Sequence, residues 1–129
     1  MDNATYRIVR HRIGHEGTRE GYHIYVLTEQ NVFYNFYTPK GLPEREGALR
    51  LVLDVGKCDP EHFYDLEYKR GELLEQGDAN IEFDEKSINL FLSDREYRLI
   101  PRQQNQYLCL LKGFGYNPKI PSNKELILT

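Results

Sequence analysis

The chain contains no tryptophan, one methionine and two cysteines, and each scarcity removes a class of explanation. Cys58 and Cys109 are far apart in sequence and outside any Cys-x-x-Cys pair, which argues against a disulfide-stapled scaffold or a dithiol centre. Long apolar runs are missing as well. No segment approaches the roughly 18 apolar residues of a membrane-spanning helix, and the opening residues lack the basic-then-apolar order of a secretion signal. The expectation is a soluble, cytoplasmic protein with no membrane partner. Ser87, Ser93 and Ser122 have no Gly-x-Ser-x-Gly surroundings, so no strained nucleophile turn is expected. Gly113-Phe114-Gly115 is followed by neither Lys-Ser nor Lys-Thr, and it reads as a flexible turn rather than a phosphate loop.

What the chain does have is aromatic residues in alternation. Ten tyrosines and six phenylalanines concentrate in segments such as Gly21–Thr28 and Val32–Tyr37, with the period of two that belongs to β-strands. A length of 129 residues fits one domain spanning 1–129, able to bury roughly two-thirds of its extended-chain surface. The strand candidates are Tyr6–His11, Tyr22–Thr28, Val32–Tyr37, Ala48–Val55, Ile81–Phe83, Ile88–Leu92, Tyr97–Ile100 and Tyr107–Leu111. In the second of these, Tyr22, Ile24 and Val26 share one face while His23, Tyr25 and Leu27 share the other. Asp59-Pro60-Glu61 has the residue order of a helix start, and Phe63, Leu66, Arg70 and Leu73 would share a face. A helix over 60–76 is one reading of this stretch, and two short strands about Arg70-Gly71 are the other. Pro101 is expected to close the strand before it, and Leu126-Ile127-Leu128 to form an edge strand. The expected fold class is mainly β. A mostly antiparallel sheet, or a partly closed barrel or sandwich, would carry at most one or two short helices, with α+β as the alternative.

The formal charge of −3 is unevenly distributed. Residues 44–96 hold fifteen Asp or Glu against seven Lys or Arg, a local −8, while 1–43 carry +1 and 97–129 carry +4. That acidic middle would oppose phosphate, which argues against double-stranded nucleic acid as a partner and for a basic protein surface. Arg7, Arg10, Arg12 and Arg19 lie among aromatic residues, as in a single-strand binding surface, but Glu16 and Glu20 dilute them.

Two clusters carry candidate chemistry. His11, His15 and His23 fall within thirteen positions, with Glu16 and Glu20 between them. Imidazoles at a strand end and at the start of its hairpin neighbour could face one another around Zn²⁺. Their spacing does not match His-Glu-x-x-His, and Gly14 favours a turn over a shared helical face. Asp54 ends a core strand and is followed by Glu67 and Lys69, a set able to hold Mg²⁺ against a phosphate oxygen. This Asp-x₁₂-Glu-x-Lys pattern resembles the metal-binding signature of the restriction-endonuclease-like family, over those three positions only. The resemblance implies an Mg-dependent nuclease or phosphodiesterase using Asp54, Glu67 and Lys69; His62, close by in sequence, is the candidate proton donor for that chemistry.

The leading functional expectation is nevertheless non-catalytic, with no cofactor. A protein-interaction or inhibitor-type domain would use Tyr25, Tyr34 and Tyr37 as a tyrosine-rich, acid-rimmed interface, since tyrosine gives large contact area with few torsions to freeze. The nuclease reading is one alternative. A small-ligand-binding β module is the other, and a concave pocket lined by both tyrosines and leucines would favour it. A homodimer is expected if the sheet leaves an unprotected edge.

Overall fold

The structure of the chain, a computed structural model, describes residues 2–13, 19–64 and 71–115. It contains eight strands: β1 (Asp2–Ile13), β2 (Arg19–Thr28), β3 (Phe33–Thr38), β4 (Leu49–Cys58), β5 (Gly71–Phe83), β6 (Ile88–Leu92), β7 (Arg95–Gln103) and β8 (Gln106–Phe114). They form a closed antiparallel barrel in the order β1-β2-β3-β4-β8-β7-β6-β5. Two four-stranded meanders therefore meet at two seams, where β4 pairs with β8 and β5 pairs with β1. The mainly-β expectation is met.

Alternation decides which side chains fill the ring. Ala4, Tyr6 and Ile8 of β1, Ile24 and Val26 of β2, Phe36 of β3, Val52 of β4, and Leu90, Leu92, Tyr97, Leu99, Cys109 and Leu111 of later strands join one buried cluster. Inward strand positions in a small barrel are filled by side chains in this way. Gly77 faces Tyr6 across the β1–β5 seam. A Cβ at Gly77 would lie 2.8 Å from Ser93 Oγ and 3.2 Å from the Tyr6 ring, so glycine here makes room for the tyrosine.

A second, smaller core lies outside the barrel wall. Beyond Cys58 the chain makes a 3₁₀ turn at Pro60–Tyr64, and Phe63 packs with Val9, Tyr25 and Phe33. The Phe33 and Phe63 rings meet edge to face at 5.6 Å, and Tyr25 meets Phe33 likewise at 5.1 Å, the geometry the ring quadrupoles favour. Arg7 lays its guanidinium 5.0 Å over Tyr64. The described start of the connection between the two meanders, residues 59–64, is thus pinned to the outer face.

Three expectations are corrected. In place of a helix over 60–76 the structure has the short 3₁₀ turn and, from Gly71, strand β5; residues 65–70 lie outside the described residues. No α-helix occurs among the described residues, so the α+β alternative falls. Pro101 does not end its strand: β7 runs through it to Gln103, with a register irregularity between Pro101 and Gln103, and such irregularities are where a strand accommodates proline.

One wall is incomplete. The β5–β6 ladder covers Ala79–Phe83, because Ser93-Asp94 turns the β6–β7 hairpin back at the level of Asp78, whose carbonyl accepts from the Ser93 N–H. Above that turn β5 has β1 as a neighbour but no β6, leaving a notch towards β7. Closure still deprives the sheet of a terminal strand, which was the premise of edge-to-edge dimerisation. Leu126-Ile127-Leu128 lies outside the described residues.

Candidate functional site

The barrel opens at the end where β3 finishes and β5, β7 and the 39–48 connection begin. A cavity of about 360 Å³ occupies this upper mouth, within the range of small-molecule sites. Tyr22, Ile24, Tyr97, Leu42, Leu74 and Leu111 supply apolar wall, while Lys40 and Glu44 stand at the rim.

A register shift builds the floor. Ile8 pairs with Glu75 and Val9 with Leu73, so Leu74 is an extra residue on β5. The resulting bulge re-aims the side chains around it, and both Leu74 and Glu75 line the cavity while Leu73 packs on the outer core. Arg95, the first residue of β7, reaches across the notch to the Glu75 carboxylate. Tyr6 donates its hydroxyl hydrogen to the same carboxylate. Since that proton is committed, the 2.8 Å contact between Tyr6 Oη and Ser93 Oγ is a serine donating to the tyrosine. Ser93, Tyr6, Glu75 and Arg95 form one polar chain beneath apolar walls. Tyr97 lies 5.7 Å from the Arg95 guanidinium. Burial raises its phenol pKa and the Arg95 charge partly opposes that rise, so the ring offers a neutral hydroxyl at physiological pH. Cys109, deeper in the barrel, has its thiol pushed up to about 12 by burial and is a packing residue rather than a nucleophile.

The tyrosines of the expected interface are not brought together. Tyr25 is only 2% exposed, in the outer core. Tyr37 also faces outwards, with its ring 5.1 Å from that of His23 and lying over Gly21, where a Cβ would approach Tyr37 Cε1 to 2.5 Å. Tyr34 faces inwards, on the side of Phe36, at the opposite end of the barrel from the mouth.

His11 and His23 do meet, their rings stacked at 4.6 Å, and Asn35 Oδ1 lies 2.8 Å from His23 Nδ1. His15 lies outside the described residues. Asp54 faces the lower end of the barrel interior, and its Oδ1 accepts from the Gly56 N–H at 2.8 Å. His62 sits on the outer crossover turn, and Glu67 and Lys69 lie outside the described residues. Among the described residues, no three His, Cys, Asp or Glu are grouped to hold a metal ion. Of the arginine group, Arg10 is bound to Glu72 and Arg12 lies 3.7 Å from Glu20.

Glu75, Arg95 and Leu74 escape sequence reasoning. Glu75 and Arg95 are twenty positions apart, and the bulge at Leu74 breaks the alternation that would have assigned them a face. The available signal was Ser93-Asp94 as a two-residue turn followed at once by Arg95. Compared with known proteins, the chain matches no family model and no curated sequence.

Proposed function

We propose that the chain is a small-ligand-binding β-barrel that takes a flat, amphipathic molecule into its upper mouth, with a hydrogen-bond-accepting end directed at Arg95. The observation that carries this reading is the combination of leucine and tyrosine walls with one polar chain at the floor. Apolar enclosure supplies affinity in such sites and a few convergent polar groups fix orientation. Arg95 spends part of its donor set on Glu75 and retains others, because a guanidinium carries five N–H groups in a fork. Glu75 balances its charge, so the site suits a single acceptor group better than a multiply charged anion. A flat protein interface through Tyr25, Tyr34 and Tyr37 is less well supported, since those rings lie on two faces of the wall.

The probe for this reading is 1-anilinonaphthalene-8-sulfonate, an amphipathic anion whose flat naphthalene carries one sulfonate as the acceptor group. Its fluorescence should rise to a saturable one-to-one endpoint with the native protein. Leu42→Trp, which fills the rim from a half-buried position, should weaken binding at least about tenfold, the equivalent of about 1.4 kcal/mol. Binding unaffected by Leu42→Trp would place the probe elsewhere and defeat the proposal.

A further inference from the structure

At the lower end of the barrel, opposite the mouth, lies a separate hollow of about 180 Å³. Its walls are aromatic: Tyr34, Phe36, Phe83 and Tyr107 line it, and Tyr34 and Phe83 lie 5.3 Å apart. Phe83 is half exposed, so its ring is accessible to a molecule entering the hollow. Three carboxylates share the rim, from Asp54, Asp84 and Glu85. Asp54 accepts from Gly56 N and Asp84 accepts from Asn89 Nδ2 at 2.9 Å, so each of these bonds occupies only one carboxylate oxygen.

Two further observations bear on the occupant. Ser87 lines the hollow and is 5% exposed, yet its Oγ is buried with no hydrogen-bond partner among the described residues, a group whose cost is relieved when an occupant or its water supplies one. The chain also places one of its own cations here: Lys57 Nζ sits 5.8 Å over the Tyr34 ring. Aromatic faces attract ammonium groups through the ring quadrupole, more strongly as water is excluded.

We propose that this lower hollow binds a compact alkylammonium cation, held between the aromatic faces with the Asp54, Asp84 and Glu85 carboxylates around it. A divalent metal does not suit the site, because among the described residues no three ligating side chains are grouped closely enough. Lys57 already covers one face of the Tyr34 ring and Lys86 lines the hollow, so each would compete with an incoming cation. This site is independent of the mouth and stands or falls separately from it.

The test is an amide chemical-shift titration with choline, run beside 3,3-dimethylbutan-1-ol, which has the same shape without the charge. Choline should give saturable shifts at Phe83–Ile88 and Tyr107, and the alcohol should give none. Tyr34→Leu should weaken choline about three- to tenfold, and Glu85→Gln, at an exposed position, should weaken it without threatening the fold. Lys57→Ala should strengthen binding, whereas Lys40→Ala, the same charge change at the other end of the barrel, should not. A tripeptide containing trimethyl-lysine that binds more tightly than choline would assign the cation to a protein partner, and weaker binding would assign it to a free small molecule. Equal binding of the alcohol, indifference to both Tyr34→Leu and Glu85→Gln, or equal strengthening by Lys40→Ala would overturn the proposal.

Discussion

Glu75 shows how much depends on single side chains. It occupies an inward position, where an unpaired carboxylate would be expensive, and it is tolerated because Tyr6 and Arg95 both donate to it. The pair is only partly sheltered, with Arg95 at 21% and Glu75 at 38% side-chain exposure, so it organises the cavity floor more than it stabilises the barrel. Cys109 makes the opposite choice and stays neutral. Its thiol is raised by burial from 9.0 to about 12, so the unfolded chain releases this proton first as pH rises. The stability linked to Cys109 is therefore whole below pH 9.0 and is lost between there and about 12. Denaturant unfolding should show the native protein losing about 2 kcal/mol more than Cys109→Ala on moving from neutral pH to about pH 10.5. Parallel pH profiles for the two proteins would contradict this account of the buried thiol.

At the scale of elements, the outer crossover is the part whose contribution can be isolated. Phe63 is 1% exposed and packs against Phe33 and Val9 on the outside of the wall. Phe63→Ala should cost about 3–4 kcal/mol by chemical denaturation. It should leave probe binding at the mouth intact under native conditions, because the barrel interior is a separate cluster. A loss below about 1 kcal/mol would mean that the crossover is not an anchor. Elements also show what a sequence can and cannot display. Ile88–Leu92 reads at its observed bounds, and the inward face of Tyr22, Ile24 and Val26 follows from alternation alone. The first half of β5 is read in only one of the two alternatives, the short strands about Arg70-Gly71, because the Leu73-Leu74 succession at the bulge also gives Glu72–Glu75 the look of a helical turn. The Pro60–Tyr64 segment misleads for a related reason: Asp59 and Pro60 start a helical turn, and the packing of Phe63 against the wall holds it there.

At the scale of the whole molecule, ring closure creates both sites. It joins β5 to β1, sets Tyr6 of the first meander against Glu75 of the second, and leaves a cavity at each end, one walled by leucine and tyrosine above a polar floor and the other aromatic with an acidic rim. None of these juxtapositions is local in sequence, which is why the candidate site was not legible there while the strand content was. The described tyrosines are divided by closure between an outer core, an outer wall and two interior ends. The claim most in need of test is that binding belongs to the mouth. The direct measurement is an amide chemical-shift map of the native protein titrated with 1-anilinonaphthalene-8-sulfonate. The account predicts saturable shifts clustered at Tyr22, Gly41, Leu42, Leu74, Arg95 and Leu111, whereas shifts centred on His23, Tyr25 and Tyr37 of the outer wall, or none that saturate, would contradict it.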